Sequence, residues 1–402
     1  MGSDDAEMIT GRSVNFFQTC KLPAPVKVTP SYLGSRICAQ SSRHAFIASG
    51  KEIYQLSVRR DETEAMNGES EFSFSTCTPL NSVEARQVQA KKQNTYSGME
   101  ICSVRGIKDG ESSFRMASID MAGGICLYSF RNCGEHFAEQ EDPPVDFIQG
   151  HGFCDGEGGW GGVDFSPCGS QLAAARNFQK SVCIYDLNTG KETRKINLAL
   201  MPYSMTWVGN GRTDKMAGSG LLALTEFNFL SLWDPRVGGR SACVARVSPC
   251  NSLLLTTAWG EGIVGCAGMD RSVYVYDARK WNVCGRAMSV TKSDIMKLSF
   301  SSVNSKIFYA FGVDSQAKAV QEDVPVTVST GGHKGTHVVT GGSLRKVFEF
   351  RAGGRWIAAQ KLDDEDLFWG VCDQQVLYSS AKFDVASGAS RKRKIEDDDK
   401  ED

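Results

Sequence analysis

Two short endings in this chain, Trp233-Asp234-Pro235-Arg236 and Tyr276-Asp277-Ala278-Arg279, set a carboxylate two residues ahead of a guanidinium. An arginine projecting from such a strand end offers charge-assisted hydrogen bonds to acceptors on another protein. The plainer reading is that the arginine follows an aromatic-Asp pair and covers a sheet edge. A second cationic feature, Arg391-Lys392-Arg393-Lys394, lies in a Ser- and Gly-flanked tail outside any apolar pattern. Four accessible cations of this kind match a short nuclear import signal. The acids after it, Glu396, Asp397, Asp398, Asp399, Glu401 and Asp402, leave two further readings: a solvated polyampholyte, or a tail for basic partners.

The remaining chemistry-bearing residues favour structural readings. Gly156, Gly158 and Gly161 satisfy G-x-G-x-x-G, but a phosphate loop needs a strand before it and a helix after it. Here a strand ending in Ser166-Pro167 follows, which makes the segment a loop. His333 and His337 are four apart between Gly331-Gly332 and Gly341-Gly342, where no helix is expected, and no third metal ligand stands at a recognisable spacing. His44, His136 and His151 belong to no nucleophile-base-acid constellation. Basic and aromatic residues interleave over 345–351 and at Arg355-Trp356, as on a rim that stacks RNA bases, or in a strand that buries its aromatics. No catalytic residue, metal ligand or cofactor is expected.

Composition narrows the class. With 402 residues, 41% of them apolar and 23% charged, the chain can bury a large core. Residues 1–390 carry 40 basic and 41 acidic side chains, without the basic excess of most nucleic-acid binders. No run approaches eighteen apolar residues, so no membrane span is expected. Fourteen cysteines are scattered with no C-x-x-C pair, no Asn-x-Ser/Thr acceptor occurs, and the first residues hold no apolar leader. Reduced thiols in an intracellular compartment are the expectation.

The elements that must position these residues are short strands. The two Asp endings close tandem copies of one pattern within 221–279, and the aspartates are 43 residues apart. That spacing fits one four-stranded propeller unit of roughly 40–45 residues. Alternating apolar strands bounded by turns predict a first unit over 32–58, a second over 100–130 and a third over 163–196, with insertions near 59–95 and 132–159. A fourth unit starts at Tyr203, a fifth at Leu254 and a sixth at Ile295, while a seventh is expected over 337–350. Segments 356–359 and 367–378 finish it or begin another. Residues 1–30 contain an apolar cluster, Val14, Phe16 and Phe17, that is expected to complete the last unit.

These residues resemble the WD-repeat (transducin-like) β-propeller family. Tyr185-Asp186, Trp233-Asp234 and Tyr276-Asp277 match its strand-ending dipeptide, Phe165-Ser166-Pro167-Cys168-Gly169 its inner strand and turn, and Asp270 its tight-turn aspartate. Asn177-Phe178-Gln179 and Phe227 stand where that acid is expected in the third and fourth copies. The resemblance implies an all-β fold, a single propeller of seven four-stranded blades over 31–385 with a basic and acidic tail at 386–402. It further implies a non-enzymatic scaffold for protein-protein interactions, which the tail would send to the nucleus, with cytoplasmic residence also open. Arg279 and Arg236 also resemble the residues by which some such propellers dock the adaptor of a cullin-RING ubiquitin ligase. A role as substrate receptor is therefore one alternative, and a component of RNA processing or ribosome assembly another. Partners are other proteins in a multi-protein complex, or ribonucleoprotein, around a monomeric propeller.

Overall fold

The computed structural model describes residues 10–11, 18–21, 35–39, 44–50, 52–57, 100–108, 113–131, 145–148, 159–209, 220–260, 262–301, 307–313, 316–322, 342–351, 355–361, 366–372, 375–381 and 383–384. They form a propeller-like arrangement of antiparallel sheets. Strands β1 (Thr10–Gly11) and β2 (Gln18–Lys21) precede a three-stranded meander of β3 (Ile37–Ala39), β4 (His44–Ser49) and β5 (Glu52–Ser57). Then come β6 (Ile101–Lys108), β7 (Ser113–Asp120), β8 (Ile125–Arg131) and β9 (Val145–Ile148), paired in that order. The next sheet is β10 (Gly161–Phe165), β11 (Gln171–Arg176), β12 (Ser181–Asp186) and β13 (Lys191–Asn197). It is followed by β14 (Pro202–Val208), β15 (Leu221–Glu226), β16 (Phe229–Trp233) and β17 (Cys243–Val247).

Two further meanders share an edge. One is β18 (Leu254–Gly260), β19 (Ile263–Gly268), β20 (Val273–Asp277) and β21 (Val283–Ala287). The other is β22 (Ile295–Phe300), β23 (Ile307–Gly312), β24 (Gln316–Glu322) and β25 (Gly342–Arg351). Their outer strands β21 and β25 pair in parallel at Gly285↔Gly342 and Arg286↔Ser343. Finally β26 (Arg355–Lys361), β27 (Asp366–Cys372) and β28 (Gln375–Ala381) form a sheet whose fourth strand is β2, while β29 (Phe383–Asp384) pairs with β1. β26 lies beside β3, so the last sheet returns to the first.

Sequence dictates which strands sit inside. β11 reads Gln-Leu-Ala-Ala-Ala-Arg and is buried on both faces, as a continuous apolar run requires. β13 reads Lys-Glu-Thr-Arg-Lys-Ile-Asn and alternates exposed with partly buried positions, as an outer strand does. The core lies between successive sheets: Phe46, Phe114 and Phe130 join the first two, and Ile119, Trp160, Leu172, Trp207 and Leu222 continue the seam through the third and fourth. Val264, Tyr274, Leu230 and Leu232 fill the next gap, and Val275, Leu298 and Phe308 the one after it. Tyr309 meets Phe368 edge-on at 4.8 Å, carrying the seam to the last sheet. Each fully buried large side chain contributes about 1.5–3 kcal/mol relative to exposure.

The pairing corrects two expected boundaries and decides between the two readings of 356–378. Segment 337–350 does not open a new unit. Its described part is the last strand of the meander begun by β22, because β25 pairs antiparallel with β24 from Gln316↔Arg351 to Glu322↔Leu344. The segments over 356–378 then build their own sheet with β2. Val145–Ile148, inside the stretch read as an insertion, is a paired fourth strand. The N-terminal strand is Gln18–Lys21; Val14, Phe16 and Phe17 lie outside the described residues, as do 59–95 and the tail 386–402.

Candidate interaction site at the channel mouth

The inner strands β6, β10, β14, β18 and β22 lie side by side in that order. Neighbouring pairs are stitched by side chains that cap the free edge of the next strand. Asp164 Oδ2 accepts from the Trp207 N–H at 3.0 Å, Ser204 Oγ from Thr257 at 3.1 Å, and Thr256 Oγ1 from Leu298 at 3.1 Å. An inner edge would otherwise leave backbone donors unpaired. Residues at and near the starts of these strands enclose a pocket, the mouth, lined by Ser103, Arg105, Trp160, Tyr203, Thr256 and Lys297 among others.

Arg105 approaches Asp164 only to 4.0 Å, with both side chains partly exposed. Desolvation pushes the Asp164 carboxyl above its ordinary value, against the pull of Arg105 and Lys297. Desolvation, and then repulsion from Arg105, pushes the Lys297 ammonium well below its usual range. One carboxylate, already bonded to a backbone N–H, therefore serves two cations.

Antiparallel register brings the turn between second and third strands to the same end. Gly161, where β10 starts, is opposite Arg176, which is opposite Ser181. In four successive sheets that turn exposes a large apolar side chain: Met121, Phe178, Phe227 and Met269, at 36%, 47%, 48% and 48% of full exposure. Each is anchored beside the mouth. Met121 N donates to Glu100 O and Met269 N to Leu253 O; Phe227 O accepts from Leu254 N; and Phe178 lies over Gly159, next to Trp160 of the pocket. Phe227 also has φ +56°, a left-handed conformation that costs an ordinary residue about 1–2 kcal/mol. A two-residue hairpin turn favours Asn or Gly there, so an exposed Phe is costly on both counts.

The opposite end holds the aromatic-Asp endings. Tyr185, Trp233 and Tyr276 are buried, and the aspartates cap their own turns. Asp186 accepts from the backbone of Asn188 and Thr189, and Asp277 from that of Arg279 and Lys280. Asp234 takes the Arg236 guanidinium in a two-pronged pair at 2.8 and 2.6 Å, together with the Arg236 N–H. Arg236 is thus turned back on its own loop, and its bond to Asp234 holds that carboxyl below the usual range. Arg279 is exposed and meets Asp277 through its backbone. Arg391, Lys392, Arg393 and Lys394 lie outside the described residues, as do His333 and His337. At the mouth end Asp270 accepts from Ser272 N and the Tyr274 hydroxyl, and Asp120 likewise holds Ala122 and Gly124. Asn177 instead donates to Pro202 O at 2.7 Å.

Sequence reasoning missed Glu226. It is completely buried one residue before Phe227, accepts from the Ser231 hydroxyl and from Trp233 Nε1 at 3.2 Å, and faces Arg246 at 3.5 Å. The acid stands one position earlier than in the neighbouring copy, where Asp270 follows the strand. A search of adjacent positions for an acid paired with Trp233 would have found it.

The arrangement has a solved counterpart. No family model matches the sequence, and no curated protein does. Among solved structures the chain is similar to Raptor from Chaetomium thermophilum, with a TM-score of 0.56 and 10% identity. The likeness covers 92% of this chain and 29% of that one, and it speaks for the fold alone.

Proposed function

We infer that this chain is a non-enzymatic propeller of the WD-repeat type that serves as a protein-interaction scaffold, with seven blades over 31–385 and β2 completing the last. Six four-stranded units, two of them sharing the β21–β25 edge, and the three-stranded meander of β3, β4 and β5 support that count. The observation that carries the function is the arc of Met121, Phe178, Phe227 and Met269 around the channel mouth. Exposed apolar side chains repeated at the same turn of four successive sheets, one of them on a strained turn, mark a surface that a partner covers. Nuclear residence rests on the basic run at 391–394, and a reporter carrying the tail should enter the nucleus and stay outside it when all four cations are alanine.

The test compares matched exposures. Phe178→Ser with Phe227→Ser is set against Val244→Ser with Val283→Ser, whose side chains are equally open on outer strands. In quantitative co-purification the first pair loses its partners and the second keeps them. Equal retention by both would overturn the assignment to the mouth. A second reading, docking of a ligase adaptor on the opposite end, is favoured by the exposure of Arg279. Arg279→Ala should then remove the adaptor, whereas Arg236→Ala should change it little because Asp234 already holds that side chain.

A further inference from the structure

The channel-mouth pocket has chemistry of its own. Ser103 is 1% exposed, and its hydroxyl has no hydrogen-bond partner among the described residues, although it lines the pocket. A buried hydroxyl without a partner forfeits a bond that it had in water. Lys297 lines the same pocket, and among the described residues its ammonium has no hydrogen bond and no ion pair within 4 Å. Arg105, the third donor, holds Asp164 at the limit of contact. Three donors thus line one space, while Asp164, the carboxylate beside them among the described residues, is bonded to Trp207 N. The pocket is small, about 20 Å³, room for one or two waters. It admits the end of a short side chain.

We propose that this pocket receives the carboxylate of an Asp or Glu side chain on the partner segment whose apolar residues cover Met121, Phe178, Phe227 and Met269. The incoming carboxylate accepts from the Ser103 hydroxyl, the Arg105 guanidinium and the Lys297 ammonium, and it balances the excess positive charge of the mouth. Burial first, and then repulsion from Arg105, lowers the Lys297 ammonium, and an anion in the pocket would offset that repulsion. Charge complementarity in the pocket supplies specificity, and the apolar arc supplies area. This inference rests on the docking face proposed above.

The experiment uses the whole chain to select from a display library of linear twelve-residue peptides. The wild type should enrich peptides with an acid beside large apolar residues. Replacing that acid by its amide should weaken binding by about 10–100-fold, the range of a lost charge-assisted bond. In Lys297→Met the acid and amide peptides should bind alike, and Lys297→Arg should restore the preference, which a merely structural role would not do. Thermal melting of each variant separates unfolding from loss of the site. Enriched peptides that depend on Phe178 and Phe227 but carry no acid would overturn the carboxylate pocket and leave the docking face standing. Peptides indifferent to both phenylalanines would overturn the docking face, and an empty selection would count against both.

Discussion

Glu226 is the sharpest test of how the sheets hold the mouth turns in place. Its carboxylate is completely buried and takes hydrogen bonds from Ser231 and Trp233, with Arg246 at 3.5 Å. Glu226→Ala removes two bonds to a charged acceptor, each worth about 1.5–3 kcal/mol, and opens a small cavity. Ser231 and Trp233 still bond each other at 2.9 Å, and Arg246 at 31% side-chain exposure can turn to water, so part of the loss is recovered. The net expectation is a loss of about 2–4 kcal/mol for Glu226→Ala and about 1–2 kcal/mol for Glu226→Gln, which keeps an acceptor. Urea unfolding followed by tryptophan fluorescence measures both. Hydrogen exchange should show the loss first in β15 and β16, because Glu226 and its Ser231 and Trp233 partners all lie on these strands. A Glu226→Ala variant within about 0.5 kcal/mol of wild type, the range of ordinary surface changes, would refute the reasoning.

Two other outcomes follow from the same geometry. Cys168 is exposed, and although desolvation alone would raise its thiol, hydrogen bonds with Ser166 and Ser170 outweigh it and hold the thiol below the ordinary value. Burial instead pushes Cys38 up to about 12 and Cys102 and Cys183 to about 11, so brief iodoacetamide treatment of the native chain with peptide mapping should label Cys168 at least about 10-fold faster than these three. Asp234 titrates below the ordinary carboxylate value because of its Arg236 bonds, so its contribution is complete above the unfolded value near pH 4 and is lost as pH falls through the lower folded value. Melting temperature should therefore fall less steeply below pH 4 in Asp234→Asn than in wild type.

Much of this fold was legible because strand chemistry is local. Ile37–Ala39, His44–Ser49 and Glu52–Ser57 alternate between clear turns, and the sheet of β10 to β13 follows its turn residues closely. The region after Ala287 was harder because strand order there depends on long-range partners. β25 alternates aromatics with charges wherever it pairs, and only its register with β24 decides which sheet it joins. The candidate site was less legible still. Ser103 and Arg105 lie two residues apart on β6, but Lys297 stands almost two hundred residues later on β22, and only closure of the sheets brings it to them. The Asp-x-Arg endings drew notice through their regular spacing, yet in one of them the arginine is held by its own aspartate.

The claim that a partner covers the channel mouth is tested most directly by photo-crosslinking in cells. A photoreactive phenylalanine analogue is placed singly at Phe178 and Phe227 on the mouth, and at Arg279 and Lys280 on the opposite end. Both mouth positions should capture one common partner protein, and the two opposite positions should not capture it. Capture of that partner only from Arg279 and Lys280, or no adduct from either phenylalanine position in the folded chain, would contradict the account.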